Sequence, residues 1–550
     1  MTASPIDAAK AWLAEDPDPD TRAELAALLD AGDDAELADR FGARLEFGTA
    51  GLRGALGAGP NRMNRAVVMR AAAGLSSYVK ANGGTSVVIG YDARHKSDVF
   101  AHDTAAVVAG YGLVPLVLPK PLPTPVLAFA IRHLGASAGV MVTASHNPPQ
   151  DNGYKVYLGD GAQIVPPSDA EISAAIEAVA DLASIPTSDD WTVLDETVLD
   201  AYLAAVSSMP LLQDLPQRDV SIVYTPLHGV GRDVVVAAFE RAGFPLLQVV
   251  SAQGDPDPEF PTVAFPNPEE PGAIDLAVAA AQAASAEIVI ANDPDADRCA
   301  IALPVTPGQW RMLRGDEVGA LLADFLLRNG IRGRYATTIV SSSLLSAMAA
   351  RHSMPYSETL TGFKWIVKAG DDLVFGYEEA LGYCVAPNLT RDKDGISAAL
   401  LLALLAASLK SAGSSLPQRL DEIAREYGLF ATDQLSIRVA DITQISAAVA
   451  RLRAAPPTSL GGLPVVSVED LAEGVGGLPP TDGLRYRLDG SARGTGVARI
   501  VVRPSGTEPK LKSYLEVVVP VRTSVDDARA VAREQLDAVR DDLAKALALS

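Results

Sequence analysis

Thr143-Ala144-Ser145-His146-Asn147-Pro148 sets a serine hydroxyl directly after the apolar, β-prone run 138–142. A serine at the carboxyl end of a strand projects into the crevice where open α/β sheets bind ligands. Pro148 and Pro149 then stop regular structure and leave Ser145 on a tight, exposed loop. Farther along, Asp293-Pro294-Asp295-Ala296-Asp297-Arg298 follows another β-prone run, 287–291, and places three carboxylates at alternate positions of a loop read as extended. Three carboxylates converging on one point repel one another unless a cation joins them, and hard cations such as Mg²⁺ take oxygen ligands and share them with substrate phosphate. The Gly and terminal Glu of a calcium-binding EF-hand loop are missing.

Arg503-Pro504-Ser505-Gly506-Thr507-Glu508-Pro509-Lys510 combines a guanidinium, two hydroxyls, a residue small enough for backbone approach and a lysine after a third β-prone run. Such loops make concave anion sites, with arginine giving bidentate recognition of phosphate. Lys512 and Tyr514, just beyond, read as strand residues that pack or face water. Two shorter segments are weaker. Gly376-Tyr377-Glu378-Glu379-Ala380-Leu381-Gly382-Tyr383 offers two carboxylates for sugar hydroxyls, although glutamate pairs mostly lie on solvated faces. The glycine-rich Glu46-Phe47-Gly48-Thr49-Ala50-Gly51-Leu52-Arg53-Gly54 offers one guanidinium, as a phosphate contact or a flexible turn.

The elements that must position these groups alternate. After an amphipathic helical stretch to about residue 44, strands at 85–91, 112–118 and 136–143 alternate with helices at 66–81, 98–109 and 124–133, which predicts crossover units. Similar sets follow at 220–291 and 337–377, and an α+β texture begins near 430 and closes with a helix over 524–547. The expected domains are 1–205, with the serine loop, 206–318, with the aspartate loop, 319–430, with the sugar-recognition segment, and 431–550, with the phosphate loop. A formal net charge of −22 argues against nucleic acid or an anionic membrane as partner. The two cysteines, Cys299 and Cys384, lack metal-ligand spacing, and the longest apolar run, 396–409, falls short of a bilayer span. A cytoplasmic protein that is a monomer or homodimer is expected.

Taken together and in this order, the stretches around Arg53, Ser145, Asp293 to Asp297, Glu378 and Arg503 closely resemble the α-D-phosphohexomutase superfamily, over nearly the whole chain from about residue 45. The resemblance implies three consecutive related α/β domains with mixed sheets plus a C-terminal α+β domain, heart-shaped around a central cleft. It also implies an isomerase that moves a phosphoryl group between the 1-position and the terminal hydroxyl of a sugar, through a phosphoserine and a sugar bisphosphate that serves as intermediate and activator. Ser145 would carry the phosphoryl group, and Asp293, Asp295 and Asp297 would hold Mg²⁺ with a phosphoserine oxygen. His146 would assist at the phosphate, Lys155 would contact phosphate and shuttle protons, and Lys393, in Arg391-Asp392-Lys393-Asp394-Gly395, would act as general acid or base. Substrate binding would fall to Arg53, Arg298, Gly362, Lys364, Glu378, Glu379, Arg391, Arg503, Ser505, Gly506 and Thr507, with a flexible fourth domain carrying Arg503.

One departure bears on specificity. Many members read the sugar with Glu-x-Ser, whereas Ala380 stands at the serine position here. The expected substrate is glucose 1-phosphate, with mannose 1-phosphate beside it. The alternatives are a phosphopentomutase acting on ribose or deoxyribose 1-phosphate, a sugar bisphosphate synthase, and a silent sugar-phosphate sensor that the complete set of motifs disfavours.

Overall fold

The computed structural model describes residues 4–48, 51–306, 308–439, 441, 443–491, 495–505 and 510–548. Contacts divide the chain into two compact units, one of residues 1–313 and 382–408 and one of residues 314–381 and 409–550.

In the first unit three helices, α1 (Pro5–Glu15), α2 (Pro19–Ala31) and α3 (Asp34–Phe41), precede the first sheet. Each starts on a Ser or Asp whose side chain accepts a backbone N–H, which satisfies one of the donors a helix start leaves open. The first sheet contains β1 (Leu52–Ala55), β2 (Ser86–Tyr91), β3 (Val114–Val117), β4 (Ala138–Val142), β5 (Asp151–Leu158) and β6 (Thr192–Val193) in the order β1-β5-β4-β2-β3-β6. Strands β2, β3 and β4 are parallel, as the alternation with α4 (Arg65–Ala81), α5 (Ser97–Gly110) and α6 (Thr124–His133) predicts. The sheet is nevertheless mixed, because β5 returns antiparallel against both β4 and β1. All five residues of β4 are buried, so the strand that ends at the serine loop is locked from both faces.

The second sheet, in the order β11-β10-β9-β7-β8, is built from β7 (Ile222–Thr225), β8 (Gln248–Val249), β9 (Ile288–Ala291), β10 (Ala300–Thr306) and β11 (Gln309–Met312). Strand β9 leads into the aspartate loop and β10 leaves it. In the second unit β12 (Arg334–Thr338) lies between its parallel partners β13 (Tyr356–Thr359) and β14 (Leu373–Glu378). The short strand β15 (Gly382–Cys384) belongs to the first unit, together with the buried helix Gly395–Ser411 up to residue 408. Among the described residues no single helix is long and apolar enough to cross a membrane.

The last sheet, in the order β16-β21-β20-β19-β18-β17, contains β16 (Leu429–Arg438), β17 (Ser459–Leu460), β18 (Leu463–Asp470), β19 (Leu484–Asp489), β20 (Val497–Pro504) and β21 (Lys510–Val519). Its inner face packs Tyr486, Ile500, Leu511 and Leu515 with Leu536 and Leu543 of the closing helix Val525–Leu547. The sheet does not stand apart. Arg499 on β20 donates to the carbonyls of Ile339 and Ser341 and meets Glu358, Arg485 pairs with Glu358 at 2.7 Å, and Glu516 accepts from Ser343 N at 2.8 Å and Ser343 Oγ at 2.6 Å. These bonds tie residues 485–516 of the last sheet to residues 339–358 within the second unit.

Candidate active site

Ser145 sits just past β4 with φ 54°, a left-handed conformation rare outside glycine. Its N–H donates to Thr143 Oγ1 at 2.8 Å, and Oγ donates to Asp293 Oδ2 at 2.8 Å and lies 3.2 Å from His146 Nδ1. The serine, expected on an exposed loop, is buried by its contacts with the aspartate turn, and all three aspartates are buried with it. The aspartate segment is a tight turn rather than an extended loop. Pro294 restricts the backbone, Ala296 N donates to Asp293 O at 2.8 Å, and Ala296 takes a φ of 52°. Gly229 makes the turn possible, since a Cβ there would lie 2.3 Å from the Pro294 backbone.

That turn brings ligand oxygens of Asp293, Asp295 and Asp297 within 4.8 Å of one another. Lys155 Nζ, from β5, donates to Asp295 Oδ2 at 2.8 Å and to Asp297 Oδ2 at 3.0 Å, and Lys393 Nζ lies 3.2 Å from the same Asp297 oxygen. Thr124 Oγ1, at the start of α6, donates to Asp295 Oδ2 at 2.6 Å. The charge balance follows from these contacts. Burial and the Asp297 and Asp295 carboxylates push Asp293 well above the ordinary carboxylate range. Burial and Asp297 act the same way on Asp295, but the Lys155 ammonium and Thr124 outweigh them and hold it low. Asp297 is also held low, because Lys155, Lys393 and Arg298 outweigh its burial. Asp295 Oδ1 and Asp297 Oδ1 are buried without a hydrogen-bond partner. Buried unpaired oxygens are costly, and hard oxygens of this kind fit a divalent cation.

Cations surround the serine on its other sides. Arg53, on β1, donates to Asn147 Oδ1 at 3.2 Å. Gly51 lies close on β5, with a φ of 94° and its Cβ position only 1.9 Å from Tyr154 O, so only glycine fits there; Thr49 and Ala50 of the same segment lie outside the described residues. Arg298 contacts the His146 imidazole, at 3.2 Å from Nε2. Burial, then Arg298 and Arg53, push His146 well below its ordinary value, so the ring is neutral near pH 7. For Lys155 the order reverses. Burial alone would lower it, but Asp295 and Asp297 prevail and keep it an ammonium. Lys393 stands between two anchored neighbours: Asp392 accepts from Tyr157 at 2.7 Å and from Gln163 at 2.8 Å, and Asp394 accepts from Tyr202 at 3.0 Å. Arg391 adjoins this segment, half-buried.

The remaining candidates belong to the second unit. Gly362 precedes the short helix Phe363–Ile366, and Lys364 is buried there beside Trp365 rather than opening a surface helix. Glu378 ends β14, and Glu379 N donates to Ser341 Oγ at 3.2 Å while that hydroxyl donates to Glu379 Oε2 at 2.8 Å. Burial, Glu378 and Asp316 push Glu379 up to about 7. Arg503 lies near the end of β20, and Ser505 N donates to Lys510 O at 2.8 Å. Gly506 and Thr507 lie outside the described residues. Tyr514 is no plain strand residue: its phenol lies near Glu379, Arg503 and Glu378, and burial pushes it above its ordinary range. The sequence reading missed Tyr514, Thr124 and Ser341. Only long-range pairing brings them in, and a hydroxyl just past a strand end was the one local signal.

A serine hydrogen-bonded to one of three clustered aspartates, with Lys155 and Lys393 buried against that cluster, is a grouping whose chemistry suits phosphoryl transfer. Comparison with known proteins agrees. Four domains described as Phosphoglucomutase/phosphomannomutase match in order, alpha/beta/alpha domain I at residues 44–182, domain II at 200–306, domain III at 314–427 and the C-terminal domain at 437–542. The chain is 46% identical over 462 residues to a probable phosphomannomutase of Haemophilus influenzae, covering 82% of this chain and 93% of the relative. It is 36% identical over 559 residues to the phosphopentomutase of Homo sapiens, covering 92% and 90%. A crystal structure of a putative phosphomannomutase from Thermus thermophilus superposes with a TM-score of 0.69 at 27% identity, over 89% of this chain and 99% of that one. The chain belongs to the phosphoglucomutase/phosphomannomutase family, and it is an isomerase of the phosphohexomutase type.

Proposed function

We propose that this enzyme interconverts glucose 1-phosphate and glucose 6-phosphate, and accepts mannose 1-phosphate, with Ser145 as the phosphoryl carrier. The observation that carries the reading is the 2.8 Å hydrogen bond from Ser145 Oγ to Asp293, within a carboxylate cluster that keeps two buried oxygens without a hydrogen bond. Asp293, Asp295 and Asp297 would hold Mg²⁺, which when bound neutralises charge on the phosphoryl oxygens.

The chain's own groups account for the rest. A sugar hydroxyl oxygen attacks the phosphorus of phosphorylated Ser145, its P–Oγ bond breaks, and Oγ is left beside Asp293. Lys393, an ammonium beside Asp297 in the resting site, must first give up a proton to water; its Nζ then takes the attacking hydroxyl's proton and returns it to the departing Oγ, while Lys155, kept as an ammonium by Asp295 and Asp297, serves as fixed charge. Arg53, Arg298 and neutral His146 steady the phosphoryl oxygens, and little covalent work remains for the protein beyond such positioning. The bisphosphate then turns and returns its other phosphate to Ser145. Arg503, Ser505, Gly506 and Thr507 grip the phosphate that is not transferred, with Lys364 and Arg391 as further phosphate contacts in the Gly362 and Lys393 segments. Glu378 and Glu379 accept from sugar hydroxyls.

A second reading, a phosphopentomutase, is favoured by the similarity to the human phosphopentomutase and by Ala380, which removes a hydroxyl from the sugar-recognition segment. Coupled assays with Mg²⁺ and trace bisphosphate on glucose, mannose and ribose 1-phosphates separate the two. Dominant turnover of glucose 1-phosphate supports the first, and dominant turnover of ribose 1-phosphate replaces it with the second.

A further inference from the structure

A buried polar cluster surrounds Arg94, three residues past β2. Its side chain is 1% exposed. One terminal nitrogen donates to Pro148 O at 2.9 Å and Asp151 O at 3.2 Å, and the other to Ser145 O and Asn147 O, both at 2.6 Å. One guanidinium thus holds four carbonyls of a seven-residue stretch, including that of the serine itself. The face of the group lies on the Phe260 ring, 4.9 Å from its centroid, and Nε lies 3.3 Å from Asp92 Oδ2. Asp92 in turn accepts from Thr143 Oγ1 at 2.6 Å, the hydroxyl that receives the Ser145 N–H.

We infer that Arg94 is a positioning residue for phosphoryl transfer, holding the loop so that Ser145 Oγ faces Asp293, and that Phe260 is the platform that fixes its guanidinium plane. The inference rests on Ser145 being the phosphoryl carrier. The geometry of the fork explains why arginine stands here. A left-handed backbone at a non-glycine residue is strained and persists only where its surroundings over-determine it. Four carbonyl contacts from one planar group supply that constraint, and a lysine ammonium, with three donors on a flexible stem, cannot reproduce them. The segment carrying Phe260 is itself anchored. Phe260 is buried, Asp257 N donates to His228 O at 3.0 Å, and Glu259 meets His95 at 2.6 Å, one residue from Arg94.

The test compares the wild type with Arg94→Lys, Arg94→Ala, Phe260→Leu and Ser145→Ala, each checked for cooperative melting. It measures single-turnover transfer of labelled phosphate from glucose 1,6-bisphosphate to the protein, together with kcat and KM for glucose 1-phosphate and ribose 1-phosphate. Arg94→Lys is expected to lose about 100-fold in labelling rate and kcat while KM stays within about 3-fold, the signature of a misplaced reacting atom rather than lost binding. Millimolar methylguanidinium is expected to restore part of the Arg94→Ala rate, whereas ammonium does not. Phe260→Leu, which leaves the carbonyl bonds in place, is expected to lose about 10-fold, an order less than the loss of the fork. Wild-type labelling by folded Arg94→Lys, or a loss confined to KM, overturns the inference; absence of label in the wild type would instead remove the phosphoserine reading beneath it.

Discussion

The serine–aspartate centre in the first unit and the phosphate and sugar loops in the second meet opposite demands. Ser145, Asp293, Asp295 and Asp297 are at most 2% exposed, and each has at least one fixed partner within 3.0 Å. Arg503, Ser505, Glu378 and Glu379 are only half-buried. Transfer through a short-lived, highly charged state rewards groups that need not reorganise, which burial and hydrogen bonding secure. The proposed bisphosphate, binding in two orientations, would call for groups that stay accessible. The contrast predicts that substitutions in the first region act on kcat and those in the second on KM.

The largest break is Ser145→Ala, expected to lower kcat by about 10⁴-fold or more while the fold survives, because only a hydroxyl is removed. Near-normal turnover in a coupled assay would take the serine out of the mechanism. Asp295→Asn should cost about 100-fold at fixed Mg²⁺ and shift the Mg²⁺ titration to higher concentration, since it alters an unpaired oxygen and weakens the Lys155 contact. An unchanged titration would detach that turn from the metal. On the other side, Arg503→Ala should raise KM for the sugar phosphate about 10- to 100-fold and change kcat less, in line with roughly 1.5–3 kcal/mol for charged hydrogen bonds. A pure kcat loss would erase the contrast.

The smallest effect concerns pH. Glu379 is raised from 4.5 to about 7 in the folded protein, so between those values the native state binds more protons than the unfolded chain and stability falls as pH rises. The full contribution is present below pH 4.5 and is lost by about pH 7. With its partial exposure allowed for, the change is about 2 kcal/mol. Denaturant melts across this window should slope downward, and Glu379→Gln should flatten them. A slope that survives the substitution belongs to another group.

Sequence carried further in the first region than in the second, and only for groups announced by local pattern. Ser145 and the aspartates follow buried strands and have prolines beside them, so their place at strand ends is written into short stretches, although their burial is not. Helix α6 falls on residues 124–133 as its periodicity predicts. Strand β5 was not read as a strand, because Asn152, Gly153 and Lys155 break its apolar alternation; the antiparallel pairing with β4 and β1 makes it one and delivers Lys155 to the aspartates. Pro294 and the positive φ of Ala296 likewise turned an expected extended loop into a compact one. Arg94 and Tyr514 act across 51 residues or with groups on other strands, and no spacing in the chain announces such a contact.

The most direct test of the central claim is peptide mass spectrometry of the protein after incubation with glucose 1,6-bisphosphate and Mg²⁺, followed by a chase with unlabelled glucose 1-phosphate. The account predicts a single phosphoryl group on the peptide containing Ser145, formed as quickly as the enzyme turns over and discharged to sugar phosphate during the chase. Wild-type turnover with no phosphate at Ser145, or with phosphate only on another residue, would contradict it.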